Sequence, residues 1–292
     1  MTGNARFLRG LARAVGGAVL FNLPLWMTME MWWLGFTMDR ARLILLIVLT
    51  VPLLILLSYY SGFEDTKSLK EDAVDAFVAI AVAAVTSTVI LAMLNVISTS
   101  MSRSEVVGKI ALQSVPASIG ALLAQSILGG NPEARKRREI NYWGGLFLMA
   151  VGALFVAWNV APTEEIIKIA FSITPVLGVL IAIASLLIIH AFMFALEFHG
   201  EPDIPEDTPF LTLFLRETIV GYALAIGLSA YVLWSFGRFD DMSFQPALLA
   251  TLVLALPAAI GAAAARLILY WRNASRIRSV ARFRLPSGWW RA

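Results

Sequence analysis

The sequence predicts an all-α polytopic membrane protein of about eight transmembrane helices, arranged as two parallel four-helix repeats related by a pseudo-two-fold axis along the membrane normal. Three observations lead there. Of the 292 residues, 59% are hydrophobic and 15% charged, and the charges gather between long apolar runs instead of alternating with apolar residues as a soluble fold requires. The runs fall near 14–37, 42–62, 73–98, 107–129, 142–161, 166–196, 213–236 and 246–271, each near the ~20 residues that cross a hydrocarbon layer about 30 Å thick. Finally, the fourth and eighth runs are alike in sequence.

The first run, Val15 to Phe36, follows Arg6, Arg9 and Arg13; it is too long for a signal-peptide core and contains Glu30, so it is expected as a retained span. All eight runs are too long and too evenly apolar for barrel strands, and only a helix or a closed barrel satisfies its backbone in lipid, so helices are expected. The fourth run carries Lys109, Gln113 and Gln125 among small residues, which predicts a strongly buried or re-entrant segment.

Orientation follows from Lys and Arg. Eight crossings put both termini on one side. Arg40, Arg42, Arg103, Lys109, Lys168 and Arg238 fall on the opposite side and Arg266 inside the last run, leaving sixteen of the 23 Lys and Arg with the termini. The N and C termini are therefore expected to be cytoplasmic. The basic tail with Trp289 and Trp290 is a candidate for anionic lipid.

The repeat rests on SVPASIGALLAQSIL from Ser114 against ALPAAIGAAAARLIL from Ala255, with eight of fifteen positions identical, including Pro116 with Pro257 and Gly120 with Gly261. Lys70-Glu71 before Val74 matches Arg216-Glu217 before Val220, and Trp33 with LTVPLLILL more loosely matches Trp158 with ITPVLGVLI. Four spans per unit make the copies parallel. The expected division is a first repeat over 1–140, a second over 141–272 and a basic tail over 273–292.

Glu30 is the acidic residue well inside an apolar run. A carboxylate in lipid is costly unless protonated, paired or hydrated, so it reads as a cation or proton site with Asn22 and Thr28 as added oxygen donors, or as a protonated group bonded to another helix. Glu71, Asp72 and Asp75 at the third helix and Glu217 at the seventh read as a cation-gathering inner mouth, or as ordinary partners of helix dipoles. His190 is a candidate relay or packing residue, and Arg266 is expected to snorkel or to pair with Glu217 or Asp75. Thr86, Ser87, Thr88 and Asn95 could line a hydrated path or bond to their own helix. His190 and His199 do not form a metal motif, and the acidic loops do not match a calcium loop, so no metal is assigned.

With no cysteine, redox and thiol catalysis are excluded. No nucleotide loop, dinucleotide fingerprint, nucleophile elbow or zinc-protease motif occurs, so no cofactor, nucleic acid or soluble catalysis is expected.

The segment LPLWMTMEMWWLGFTMD, Leu23 to Asp39, resembles the signature of an uncharacterised family of bacterial integral membrane proteins. That resemblance implies a multi-pass protein of the bacterial inner membrane and supplies no activity or ligand. The functional expectation is a channel or secondary transporter for a cation or proton; the alternative is a non-catalytic assembly or regulatory subunit that binds another membrane protein. Expected partners are the lipid bilayer, an inorganic cation or proton, and a second copy or a membrane partner.

Overall fold

The computed structural model describes residues 3–61, 68–128, 142–192, 211 and 214–283. They form α1 (Gly3–Trp26), α2 (Met29–Thr37), α3 (Arg40–Ser61), α4 (Leu69–Met93), α5 (Arg103–Leu128), α6 (Tyr142–Val160), α7 (Glu165–Ser172), α8 (Pro175–His190), a π-helical turn (Phe214–Ile219), α9 (Val220–Ser235) and α10 (Phe244–Phe283). No strand occurs among the described residues. Six helices are long and apolar enough to cross a membrane, α1 with α2 makes a seventh candidate as a bent pair, and α8 is a shorter apolar helix.

The run 14–37 is not one continuous helix: α1 stops at Trp26 and α2 leaves at 88°. Side chains take over carbonyls that a longer helix would have bonded. The Thr28 hydroxyl donates to the Pro24 carbonyl at 2.6 Å and the Trp32 indole N–H to the Trp26 carbonyl at 2.7 Å, which supplies the closure that a helix end in lipid needs. The run 166–196 also divides. Pro175 opens α8, the preceding Thr174 is extended, and its hydroxyl caps Leu177 N–H; proline starts a helix readily and disfavours helical geometry before it.

The looser match between the second and sixth runs does not hold in three dimensions. Pro52 lies inside α3 while Pro175 begins α8, and Trp33 is exposed on α2 while Trp158 is buried on α6. The run from 107 falls in one continuous helix up to Leu128, and α5 has the largest buried share of the candidate spans. The boundary expected between the second repeat and the tail, after residue 272, falls within α10.

Small residues set the core. Gly17 of α1 meets Gly120 and Ala124 of α5, and Gly152 of α6 meets Gly261 and Ala265 of α10, so closely that a Cβ at either crossing would overlap the opposing carbonyl. In lipid, where neighbouring helices gain little from the hydrophobic effect, such backbone approach is what holds them together. Around these crossings, α2 and α4 pack on α5, and α7 and α9 on α10. The ends of α4 and α9 are also alike. Asn95 and Gly237 have φ of 57° and 71°, with Val96 N–H bonded to the Leu91 carbonyl at 2.8 Å and Arg238 N–H to that of Leu233 at 2.9 Å, the closing bonds of left-handed helix caps. Counted back from these caps, Ser87 matches Ser229, both fully buried, and Glu217 matches Asp75, one turn from Glu71.

Candidate functional site

Polar side chains are concentrated at three levels of the helical bundle. At the α1–α2 break, Glu30 sits half-buried in the first turn of α2. The helix dipole favours a carboxylate there, a less costly location than the middle of a span. Among the described residues it has no hydrogen bond or ion pair, but its charge acts on Arg238 from the turn after α9. Burial pushes the Arg238 guanidinium below its ordinary value, opposed by the Glu164 and Glu30 carboxylates. Arg238 donates to the Pro162 carbonyl, and its Nε is buried without a partner. Nearby, Arg42 makes a two-pronged pair with Asp240 at 2.8 Å for each contact and lies over Trp234, 5.2 Å from the ring centroid. Thr28 bonds to Pro24 at the break, whereas Asn22 faces α5 through its Nδ2 contact with Gln113.

Deeper in the bundle, Asn22 is fully buried and donates through Nδ2 to Gln113 Oε1 at 3.2 Å; Gln113 Nε2 in turn donates to the Leu25 carbonyl at 3.1 Å. Beside them the Trp26 indole donates to Ser87 at 3.2 Å. One turn earlier on α5, Lys109 is buried, paired with Glu105 at 2.7 Å and bonded to the Val96 carbonyl at 3.1 Å. Its charge is thus compensated, as burial in a bundle demands.

At the opposite end, Ser68 caps α4 through Glu71 N–H at 3.4 Å, Glu71 is exposed, Asp72 is buried, and Asp75 accepts from Ser58 at 3.2 Å. Glu217 pairs with Arg266 of α10 in a partly buried contact, and His190 Nδ1 lies 2.9 Å from the Thr218 hydroxyl. Glu217 and Thr218 both sit on the π-helical turn, a local departure from α geometry that recurs at functional sites. Glu71 and Glu217 therefore occupy different environments, one exposed and one partly buried. Thr88 bonds to the Ala84 carbonyl of its own helix at 2.7 Å.

His199, the basic group around Arg135, the Glu197–Leu211 loop up to residue 210, residues 62–67 and the terminal Trp289 and Trp290 lie outside the described residues, as does the Gln125 side chain. No group of three or more metal-ligating carboxylates or imidazoles occurs among the described residues. The pairings of Asn22 with Gln113, Trp26 with Ser87 and Arg42 with Asp240 join residues 91, 61 and 198 apart. The only sequence signal for the first two was a polar side chain in an apolar run.

Long apolar helices and a core of glycine and alanine crossings define an integral membrane protein with several membrane-spanning helices. The chain belongs to the family described as "Putative integral membrane protein (DUF2391)", whose model matches residues 10–269. No curated protein and no solved structure matches it.

Proposed function

We propose that this chain is a membrane transport protein, a channel or secondary transporter, that carries a monovalent cation or a proton across the bacterial inner membrane. The observation that carries the reading is the column of buried polar groups in the first half. Asn22, Lys109 and Gln113 are each no more than 6% exposed. Counted from the two glycine crossings, Asn22, Gln113 and Lys109 correspond to Ala157, Leu254 and Ala250, all fully buried. The same packing is thus made with apolar side chains in the other half. Burying amides and a charge where alanine or leucine serves costs stability, and membrane proteins retain such groups where solutes pass.

In this reading α1, α3, α4, α5, α6, α8, α9 and α10 are the eight crossings, and α2 and α7 are short connecting helices lying across them. The recurring crossings and caps support descent from a parallel four-crossing duplication with its axis along the membrane normal. The excess of Lys and Arg beside the termini supports cytoplasmic ends. Glu30 then stands at the outer mouth, and Glu71, Asp72, Asp75 and Glu217 with Arg266 and His190 at the inner one.

The test is cation and proton flux into proteoliposomes containing the purified chain. Flux above that of empty vesicles, lowered at least tenfold by Glu30→Gln, is the expected result. Wild-type protein that moves neither Na+, K+ nor H+ overturns the proposal, and unaltered flux in the variant removes Glu30 from the path.

A further inference from the structure

The buried amide pair at the α1–α5 crossing leaves one oxygen over. Leu25 offers a carbonyl and so requires a donor, which fixes the Gln113 Nε2 toward it and the Gln113 Oε1 toward Asn22. Asn22 must then present Nδ2 to Gln113, and its own Oδ1 is buried without a partner. Turning either amide over sets oxygen against oxygen or nitrogen against nitrogen, so the orphan is a consequence of the arrangement and not of how one amide is drawn. A buried acceptor left unmet is destabilising.

The geometry points to a monovalent cation bound at Asn22 Oδ1, with the second lone pair of Gln113 Oε1 as its neighbour. The surroundings favour positive charge. Asn22 lies in the last turns of α1, which ends at Trp26, where the helix dipole presents its negative pole. Both amide oxygens are acceptors, and the adjacent indole N–H is spent on Ser87. Neutral ligands with no carboxylate among them suit a single charge and not a divalent one. The Lys109 ammonium does not compete, because Glu105 neutralises it one turn earlier on α5. The corresponding Ala157 and Leu254 show that the crossing packs without amides, so these serve something other than packing.

This site deepens the transport reading, yet it is tested without flux. The purified full-length chain is unfolded thermally in detergent with NaCl, KCl or choline chloride at one ionic strength. Na+ or K+ is expected to raise the wild-type midpoint saturably above that in choline. Asn22→Ala/Gln113→Leu, which copies the other half, is expected to fold and lose that shift. Asn22→Asp is expected to lower the half-saturating cation concentration at least tenfold. Equal midpoints in all three salts overturn the site and leave a trapped water in its place; so does a shift that survives the double variant, or an Asn22→Asp protein with unaltered half-saturation. Flux without a shift defeats the site alone, and a shift without flux defeats the transport reading alone.

Discussion

Gly16 and Gly17 are adjacent in α1, yet the structure assigns them opposite tolerance. A Cβ on Gly17 stands 2.5 Å from the Gly120 carbonyl oxygen and also overlaps the Ala124 Cβ, whereas a Cβ on Gly16 meets nothing within 4 Å. Carbon atoms pack at about 3.5 Å and carbon approaches a carbonyl oxygen to about 3.3 Å, so the Ala124 Cβ at 2.1 Å sets the larger overlap and Gly17→Ala forces α1 and α5 apart by about 1.4 Å at their crossing. The obstacles are backbone and a Cβ, and no rotamer change relieves them. Overpacking costs about 1–3 kcal/mol where side chains can move, so a loss of about 3 kcal/mol is expected here. Gly16→Ala removes only the helix penalty of glycine and is expected to gain up to about 1 kcal/mol. Reversible unfolding in mixed micelles with increasing sodium dodecyl sulfate measures both. Gly152→Ala, which would strike the Gly261 carbonyl, is expected to behave like Gly17→Ala. Equal stability of the Gly16 and Gly17 variants would refute the close crossing as the organising contact.

Two further outcomes concern ion pairs. Glu217→Gln leaves the Arg266 guanidinium, 11% exposed, without its carboxylate, and is expected to cost about 3 kcal/mol; Glu217→Gln/Arg266→Gln is expected to be the more stable of the two in the same assay. Asp240 is held below its ordinary value of 3.8, first by the hydrogen bond from Arg42, with burial opposing. A depressed carboxylate stabilises the folded state at pH above its ordinary value and loses that contribution as pH falls through the lowered one. Asp240→Asn is therefore expected to remove a small part of the acid sensitivity below about pH 4. At high salt, wild type and the Asn variant should draw closer, because the Asp240 side of the pair is open to solvent.

Much of the candidate site was visible in one dimension only as polarity out of place. Asn22, Glu30, Lys109, Gln113, Glu217 and Arg266 each interrupt or edge an apolar run, and the pairing of Arg266 with an inner acid follows from length and charge. What each faces depends on helix rotation and crossing. Asn22 was grouped with Glu30 by proximity along the chain, but a bend of 88° separates them and turns Asn22 toward α5. Lys109 lies near the start of the run 107–129, where the sequence allows a strongly buried or a re-entrant segment; Glu105 and the Val96 carbonyl hold it inside the bundle.

The sequence by itself determined the helical membrane class, the approximate limits of the long runs and the likeness of α5 to α10, because run length, backbone closure and small-residue spacing are local properties. Only the tertiary structure decided where α1 and α7 stop, that glycines 17 and 152 are the points of closest helix approach, and which polar atoms meet. Those outcomes depend on carbonyls being satisfied by distant side chains and on backbones approaching within contact distance, neither of which is specified by the pattern of any single run.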